Sequence, residues 1–291
     1  MSTQPAPLGE RFGSQTSLRD HAVGLALSCA YFMLLLRTAD AIGLARDEGI
    51  YVHAADRYAG WLELLWRAPR EALTRATIDA AFAVNHEHPP LMKLLFGLGQ
   101  LLQSHTHVFG TDSLGYRAAG MLSASLLLWL IYIFGTRLYG RSAGLFAALT
   151  YALLPRPFYH AHLNAFDVPI TCASTLVIYA YYRSLESRWF ALWTGVAFGL
   201  ALWTKHNSWL LPGLLGAHFA VCAALELRSR RAHKTRRFTL IPYGLLAMAW
   251  FGPPLLYGGW PWLWYDTSAR LHEYVEFHLH HAYYNMEYFG V

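Results

Sequence analysis

Apolar residues in this chain come in long blocks separated by short polar segments, and they do not alternate at the period of a strand or an amphipathic helix. Such blocks are typical of segments solvated by lipid, since a helix that crosses about 30 Å of hydrocarbon needs roughly 20 apolar residues. The pattern predicts an all-α membrane protein with about seven transmembrane helices. The predicted spans lie at residues 22–45, 116–137, 142–157, 165–183, 189–204, 207–227 and 238–258.

Two larger segments, residues 46–115 and 259–291, are expected on the same side of the membrane. The first contains an amphipathic stretch, Tyr51 to Leu65, and an apolar stretch, Pro89 to Leu102, that is too short to span. Both are predicted to be helices lying in the outer membrane interface. The second segment opens with an aromatic run at residues 258–265, which is typical of an interfacial belt.

Basic residues decide the predicted orientation. With the N-terminus taken as cytoplasmic, every cytoplasmic loop carries Arg, and the densest basic cluster lies at residues 228–237. This arrangement meets the positive-inside rule. The chain is therefore expected to divide into a cytoplasmic tail at 1–21, a transmembrane module at 22–258 that includes the outer loop 46–115, and an outer segment at 259–291.

Composition supports a membrane protein and argues against other classes. Charged residues make up 14% of the chain and hydrophobic residues 55%, whereas soluble domains carry about 25% charged residues. The net charge of +5 does not indicate nucleic-acid binding, because the basic residues concentrate in a loop rather than on a surface stripe. Cys29, Cys172 and Cys222 lie inside apolar blocks without metal-ligand spacing, and they are expected to be unpaired and buried.

Ionisable residues near membrane depth are informative, because each is costly in lipid unless it faces a polar cavity or a partner. Asp47 and Glu48 follow the first block and are either a solvated helix end or a carboxylate pair that supplies a general base. Glu87 and His88 stand before Pro89-Pro90, where they either belong to an ordinary helix start or hold a metal or a phosphate.

Three further positions leave similar alternatives open. Asp167 begins a block on the outer side and is either a helix cap or a ligand or charge partner in the outer cavity. Lys205 either snorkels to the interface or holds a lipid-linked phosphate. The tract His278, His280 and His281 is a weak metal signal, because no carboxylate is known to converge on it.

Taken in chain order, these motifs resemble one family. The acidic pair, the Glu/His-Pro-Pro-Leu turn, the outer Asp two residues before a proline, and the stretch Gly199 to Lys205 are similar to polyprenyl-phosphate-dependent glycosyltransferases of the GT-C fold. The similarity is greatest to the protein O-mannosyltransferase and aminoarabinose transferase branch. The turn carries Met92 where Gly is usual, and the segment from Trp264 to Gly290 looks like the outer loop of bacterial members.

The resemblance implies inverting transfer of a sugar from a polyprenyl-phosphate donor to an acceptor on the outer, periplasmic face. It implies that Asp47 is the general base, supported by Glu48. It also implies a donor phosphate or metal side formed by Glu87, His88 and Lys205, with supporting residues Asp167, Lys93 and Arg270.

The resemblance leaves a divalent metal ion open as a cofactor, with Glu87, His88 and Asp167 as its ligands. The expected partners are the lipid-linked sugar, the bilayer and an unidentified acceptor, with no nucleic acid, and the expected location is a bacterial inner membrane. Relatives continue with further helices, so the chain is expected to be the N-terminal part of such an enzyme or a shortened member. A membrane transporter and a non-catalytic assembly factor are the alternative functions.

Overall fold

The computed structural model describes residues 15–233 and 239–280, and every regular element in this part is helical. The all-α prediction is thus confirmed for the described residues. Short 3-10 turns add to the α-helices at Ala39–Ala41, His206–Leu210 and Pro261–Trp264. The thirteen α-helices of the described part are α1 Leu18–Thr38, α2 Glu48–Arg67, α3 Pro69–Ala72, α4 Arg75–Phe82, α5 Leu91–Thr106, α6 Asp112–Tyr139, α7 Arg141–Leu153, α8 Pro155–Ala161, α9 Asp167–Ser184, α10 Trp189–Thr204, α11 Leu211–His233, α12 Tyr243–Gly259 and α13 Thr267–Leu279.

Parts of the predicted tail, basic loop and outer segment lie outside the described residues, at residues 1–14, 234–238 and 281–291. The predicted histidine tract is therefore described only as far as His280.

Three helices of the described part are long and apolar enough to cross a membrane: Leu18–Ala41, Asp112–Tyr139 and His206–Arg228. Large apolar side chains such as Leu214 and Trp250 are exposed on the helix surfaces, as expected for faces that contact lipid. The chain is a membrane protein, and the number of seven spans stays a prediction.

Two details of the apolar blocks differ from the sequence pattern. The block at 142–157 is divided, because Pro155 starts a new helix after α7, and the 13 residues of α7 extend only about 20 Å. All three cysteines are free, as predicted, but none is fully buried: Cys29 is exposed on the outward face of α1, and Cys172 and Cys222 are partly exposed.

Ion pairs connect helix ends that were predicted to lie on the cytoplasmic side. Arg141, at the start of α7, donates to Asp20 near the start of α1 across 2.6 Å. Arg137, at the end of α6, pairs with Glu186 between α9 and α10. The grouping of these ends agrees with the predicted topology, whose orientation in the cell stays a prediction.

The first outer segment forms an arm in which α2 packs on α5 and α5 packs on α6. A Cβ on Gly97 of α5 would lie 2.6 Å from the carbonyl oxygen of Ala55, and a Cβ on Gly99 would lie 2.3 Å from that of Gly115. Both distances are too short for a real Cβ, so the close approach of these helices requires glycine. The two predicted outer helices are confirmed as helices, and their position in the interface stays a prediction.

Part of the aromatic run after α12 packs inside the protein, which the sequence pattern did not predict, and the location of the run in the interface stays a prediction. Trp260 has no exposed surface and Trp262 is 6% exposed. Both belong to one hydrophobic core with Tyr58 and Phe82 of the arm and Tyr274 of α13. The sequence did not reveal this burial, because interfacial and core aromatics have the same composition and the packing partners come from a distant segment.

A buried ion pair connects the loop after α1 to α6. Arg117 and Glu48 meet at 2.9 Å, and their side chains are 3% and 1% exposed. The Glu48 carboxylate also accepts hydrogen bonds from the backbone N–H groups of Ala45 and Asn164. Arg117 donates further hydrogen bonds to the carbonyl oxygens of Ala39, Ile42 and Gly43.

We expect Arg117→Ala to lower the free energy of unfolding by about 3–5 kcal/mol, because it leaves the Glu48 carboxylate buried without a partner. Denaturant unfolding of the detergent-purified protein, followed by circular dichroism, measures the change. Arg67→Ala is the control, since it removes an exposed pair with Glu63 at 4.0 Å that is worth less than about 1 kcal/mol. Equal losses in the two variants would contradict the prediction.

Candidate functional site

The turn before α5 is built around a buried lysine. Asn85 adopts a left-handed conformation with a φ of 54°, and Lys93 has no exposed surface. The Lys93 ammonium donates hydrogen bonds to the backbone carbonyl oxygens of Asn85 and His88, the latter at 2.8 Å. Burial lowers the pKa of Lys93 to about 7. These hydrogen bonds from Lys93 therefore stabilise the turn, and they occupy its ammonium group with backbone carbonyl oxygens.

The turn presents Glu87 and His88 on its other side. The Asn85 side-chain amide donates to a Glu87 carboxylate oxygen at 2.7 Å, which orients this acid. The His88 ring lies 5.2 Å from the Phe166 ring and 6.4 Å from the Tyr51 ring, measured between centroids. Burial lowers the pKa of His88 to about 2, so its imidazole is neutral near pH 7. A neutral ring can offer a donor hydrogen or a lone pair, but it supplies no positive charge to a phosphate.

Tyr51 on α2 lies among residues of three segments, with its ring 4.3 Å from the Phe166 ring and 6.4 Å from the His88 ring between centroids. Burial, and then the charges of Asp47, Asp167 and Glu87, raise the pKa of Tyr51 to about 12. The negative charges of these three carboxylates therefore act on the Tyr51 hydroxyl. Sequence reasoning missed Tyr51, although its place one helical turn after Asp47 puts both on one face of α2.

Lys205 and Asp167 form an ion pair at this space, with 2.7 Å between the ammonium nitrogen and a carboxylate oxygen. Asp167 opens α9, but the helix has no side-chain capping bond at this end. Its observed role is therefore that of a charge partner, which is one of the two alternatives that the sequence left open. After burial and the charge of Lys93, the charge of Lys205 also contributes to the lowered pKa of His88.

The adjacent carboxylates Asp47 and Glu48 point to different environments. Asp47 is exposed at the start of α2, whereas Glu48 faces inward and is fully engaged by Arg117 and two backbone N–H groups. Glu48 thus fixes the loop that carries Asp47, and Asp47 is the member of the pair open to an incoming molecule. This division was not visible from two adjacent acidic residues in sequence.

Arg270 lies in the core of the outer segments. It donates to Asp79 of α4 and to the carbonyl oxygen of Trp262, each at 2.6 Å. These partners attach α13 to the arm, so the observed position of Arg270 is that of a structural tie. The structure pairs Asp167 with Lys205 and puts the neighbouring Phe166 beside His88, while Glu48, Lys93 and Arg270 are engaged in internal contacts of the fold.

Three histidines from separate segments also meet at the site. His88 before α5, His206 after α10 and His278 on α13 each offer a potential metal-ligand atom, and these atoms lie within 4.8 Å of one another. The His206 and His278 rings stack with their centroids 3.8 Å apart. The sequence placed Glu87, His88 and Asp167 as candidate ligands, and it missed His206, whose only signal is its position directly after Lys205.

A cavity of about 340 Å³ adjoins the ion pair and is lined by Asp167, Arg156, His160 and Thr171, among others. The sequence did not indicate a functional role for Arg156, because a single arginine in a short loop forms no recognisable pattern. Arg156 lines this cavity together with Asp167, the ion-pair partner of Lys205. The arrangement offers an exposed carboxylate at Asp47 and positive charge at Lys205 and Arg156.

The sequence of this chain matches the family model described as dolichyl-phosphate-mannose-protein mannosyltransferase, over residues 87–257. Comparison with curated proteins and with solved structures gave no match. The matched region includes Glu87, His88, Asp167 and Lys205, and Asp47 precedes it. Since the match covers more than half of the chain, the protein belongs to the dolichyl-phosphate-mannose-protein mannosyltransferase family, a family of membrane glycosyltransferases.

Proposed function

We propose that this protein transfers a sugar from a polyprenyl-phosphate donor to an acceptor on the outer face of the membrane, with inversion at the sugar carbon. The observation that carries the proposal is the Lys205–Asp167 ion pair at 2.7 Å, and it is supported by the charges of Asp47, Asp167 and Glu87, all of which act on Tyr51. One site thus holds an exposed carboxylate and a cation, which are the two groups that displacement of a phosphate requires.

The donor side is assigned to Lys205. Its ammonium group is held by Asp167 at 2.7 Å and is mostly covered, so it is oriented before a donor binds. A lipid-linked phosphate carries negative charge that increases as the sugar–oxygen bond breaks, and a fixed ammonium stabilises that charge. Arg156 lines the adjoining cavity and offers a second positive group to the same phosphate.

The acceptor side is assigned to Asp47. In the proposed step, the acceptor oxygen attacks the anomeric carbon, and its proton passes to the Asp47 carboxylate. A bond forms between the acceptor oxygen and the sugar, while the bond from the anomeric carbon to the phosphate oxygen breaks. Polyprenyl phosphate departs with the bonding electrons, and a single in-line displacement inverts the configuration.

The remaining predicted residues act as positioning groups in this proposal. Glu48 and Arg117 hold the loop that carries Asp47. Lys93 holds the turn that presents Glu87 and His88. Arg270 ties α13 to the arm through Asp79. The inner membrane remains the proposed location, with the site facing the periplasm.

Asp47→Asn is expected to lower turnover by about 10²–10⁴-fold, the usual contribution of a general base. Its effect on the donor KM should be small, since Asp47 lies on the acceptor side. Sugar transfer is measured in membranes that contain the protein and supply the acceptor, with a panel of labelled polyprenyl-phosphate sugars.

Asp40→Asn is the matched control, because Asp40 is an exposed acid in the same loop and should leave turnover unchanged. Absence of transfer from every donor by well-folded wild-type protein would overturn the proposed function. Full activity of Asp47→Asn would overturn the assignment of the base.

Lys205→Ala is expected to raise the donor KM and to lower kcat/KM by roughly 10- to 150-fold, the effect of losing one hydrogen bond to a charged group. Lys205→Arg keeps the charge and should retain part of the activity. Steady-state kinetics over a range of donor concentrations separate the two parameters.

Arg57→Ala serves as the control, since it removes an exposed cation from α2 away from the ion pair. If Lys205→Ala changed the kinetics no more than Arg57→Ala, Lys205 would not be the phosphate-binding residue.

A further inference from the structure

We propose that His88, His206 and His278 form a binding site for a single transition-metal ion of the Zn²⁺ class, which joins α13 to the turn before α5. The inference rests on the arrangement of these three residues and does not depend on the proposed sugar transfer. It also differs from the ligand set Glu87, His88 and Asp167 that the sequence suggested, because Asp167 is engaged by Lys205.

The distances between the three histidines are compatible with coordination of one metal ion. One potential ligand atom from each histidine lies within 4.8 Å of the others. Ligand nitrogens of a tetrahedral zinc site, at about 2.0–2.1 Å from the metal, are roughly 3.4 Å apart. The distances between the histidine nitrogens would therefore need to shorten by little more than about 1 Å. Rotation of the three side chains can supply this change without movement of the helices.

His278 is already held in the manner of a metal ligand. Its Nε2 atom lies 2.9 Å from the carbonyl oxygen of Glu87. A carbonyl oxygen only accepts, so Nε2 carries the hydrogen and the ring lone pair is at Nδ1. Metal-binding histidines characteristically donate their second ring nitrogen to a carbonyl or carboxylate, which fixes the tautomer and the ring orientation.

His88 contributes a buried nitrogen without a hydrogen-bond partner. Among the described residues, no group bonds to its Nδ1 atom, although that atom is shielded from solvent. An unpaired polar atom in such a place is costly, and coordination of a metal would satisfy it. The ring is half-buried between Phe166 and the other two histidines, so it already faces the cluster.

The donor chemistry selects the class of metal. Three imidazoles suit Zn²⁺, Cu²⁺, Ni²⁺ or Co²⁺, whereas Mg²⁺ and Ca²⁺ prefer oxygen ligands. The positive charges of Lys93 and Lys205 act on His88 and oppose a metal charge. The ammonium of Lys205 is paired with the Asp167 carboxylate, which offsets its charge, so the local charge does not exclude a divalent ion.

A metal at this site would connect two parts of the fold that carry different roles. His88 belongs to the turn that presents Glu87, while His278 lies on α13, which also contacts the arm through Arg270 with Asp79 and through the buried Tyr274. Three protein ligands leave the fourth position of a tetrahedral ion open. The metal would therefore hold α13 over the site while retaining one position for water or for an anionic group.

The test is metal binding by the full-length protein in detergent after removal of bound ions with a chelator. We expect one Zn²⁺ per chain by elemental analysis, with an excess of Mg²⁺ failing to displace it. His206→Ala or His278→Ala should each weaken Zn²⁺ binding by more than about 100-fold, since even outer-shell partners are worth about 10- to 100-fold. Zn²⁺ should raise the unfolding temperature of the wild type and not that of these variants.

His272→Ala is the matched control, because it removes an exposed histidine from the same helix and should leave the affinity for Zn²⁺ unchanged. Equal Zn²⁺ binding by wild type, His206→Ala and His278→Ala would overturn the inference. Loss of binding in Glu87→Gln and Asp167→Asn but not in His206→Ala would assign the metal to the carboxylates instead. Unfolding temperatures of the metal-free variants identify any that fail to fold, and for such a variant His→Gln at the same position replaces His→Ala.

The two proposals fail separately. Asp47→Asn should bind Zn²⁺ normally, because Asp47 is not a ligand of the proposed site. A wild-type protein that binds Zn²⁺ without transferring any sugar would overturn the function and leave the metal site standing. Sugar transfer by a protein that binds no Zn²⁺ would do the reverse.

Discussion

The buried Glu48–Arg117 ion pair is the interaction on which the geometry of the candidate site depends. It joins the loop after α1 to the N-terminal part of α6 at a position with almost no solvent. Arg117 also donates hydrogen bonds to three carbonyl oxygens of the loop. Since Asp47 precedes Glu48 directly, the pair determines where the exposed carboxylate of the site stands.

The candidate site combines negatively and positively charged side chains that are partly shielded from solvent. Carboxylates at Asp47, Glu87 and Asp167 act on Tyr51, while the ammonium of Lys205 is held by Asp167 at 2.7 Å. His88 adds no charge, because burial lowers its pKa far below neutrality. Without its carboxylate partner, the mostly covered ammonium of Lys205 would be costly to bury, so the same pair both stabilises the charge and orients it.

Two kinds of packing maintain this arrangement. Gly97 and Gly99 allow α2, α5 and α6 to approach at distances that any side chain would prevent. The second outer segment then covers the arm with Trp260 and Trp262, which are buried against Tyr58 and its neighbours. Through this core α13 reaches the turn before α5, and His278 comes into contact with the Glu87 carbonyl.

The sequence by itself determined the all-helical membrane fold, the helices of the outer loop and the family, because these follow from local apolar blocks and short ordered motifs. It identified Asp47, Glu87, Asp167 and Lys205 as unusual, since charge near lipid is costly wherever it occurs. Only the tertiary structure separated the exposed Asp47 from the buried Glu48, buried the aromatic run and assembled the three histidines. These outcomes depend on contacts between residues far apart in the chain, such as Glu48 with Arg117 and His206 with His278, and local sequence carries no record of such contacts.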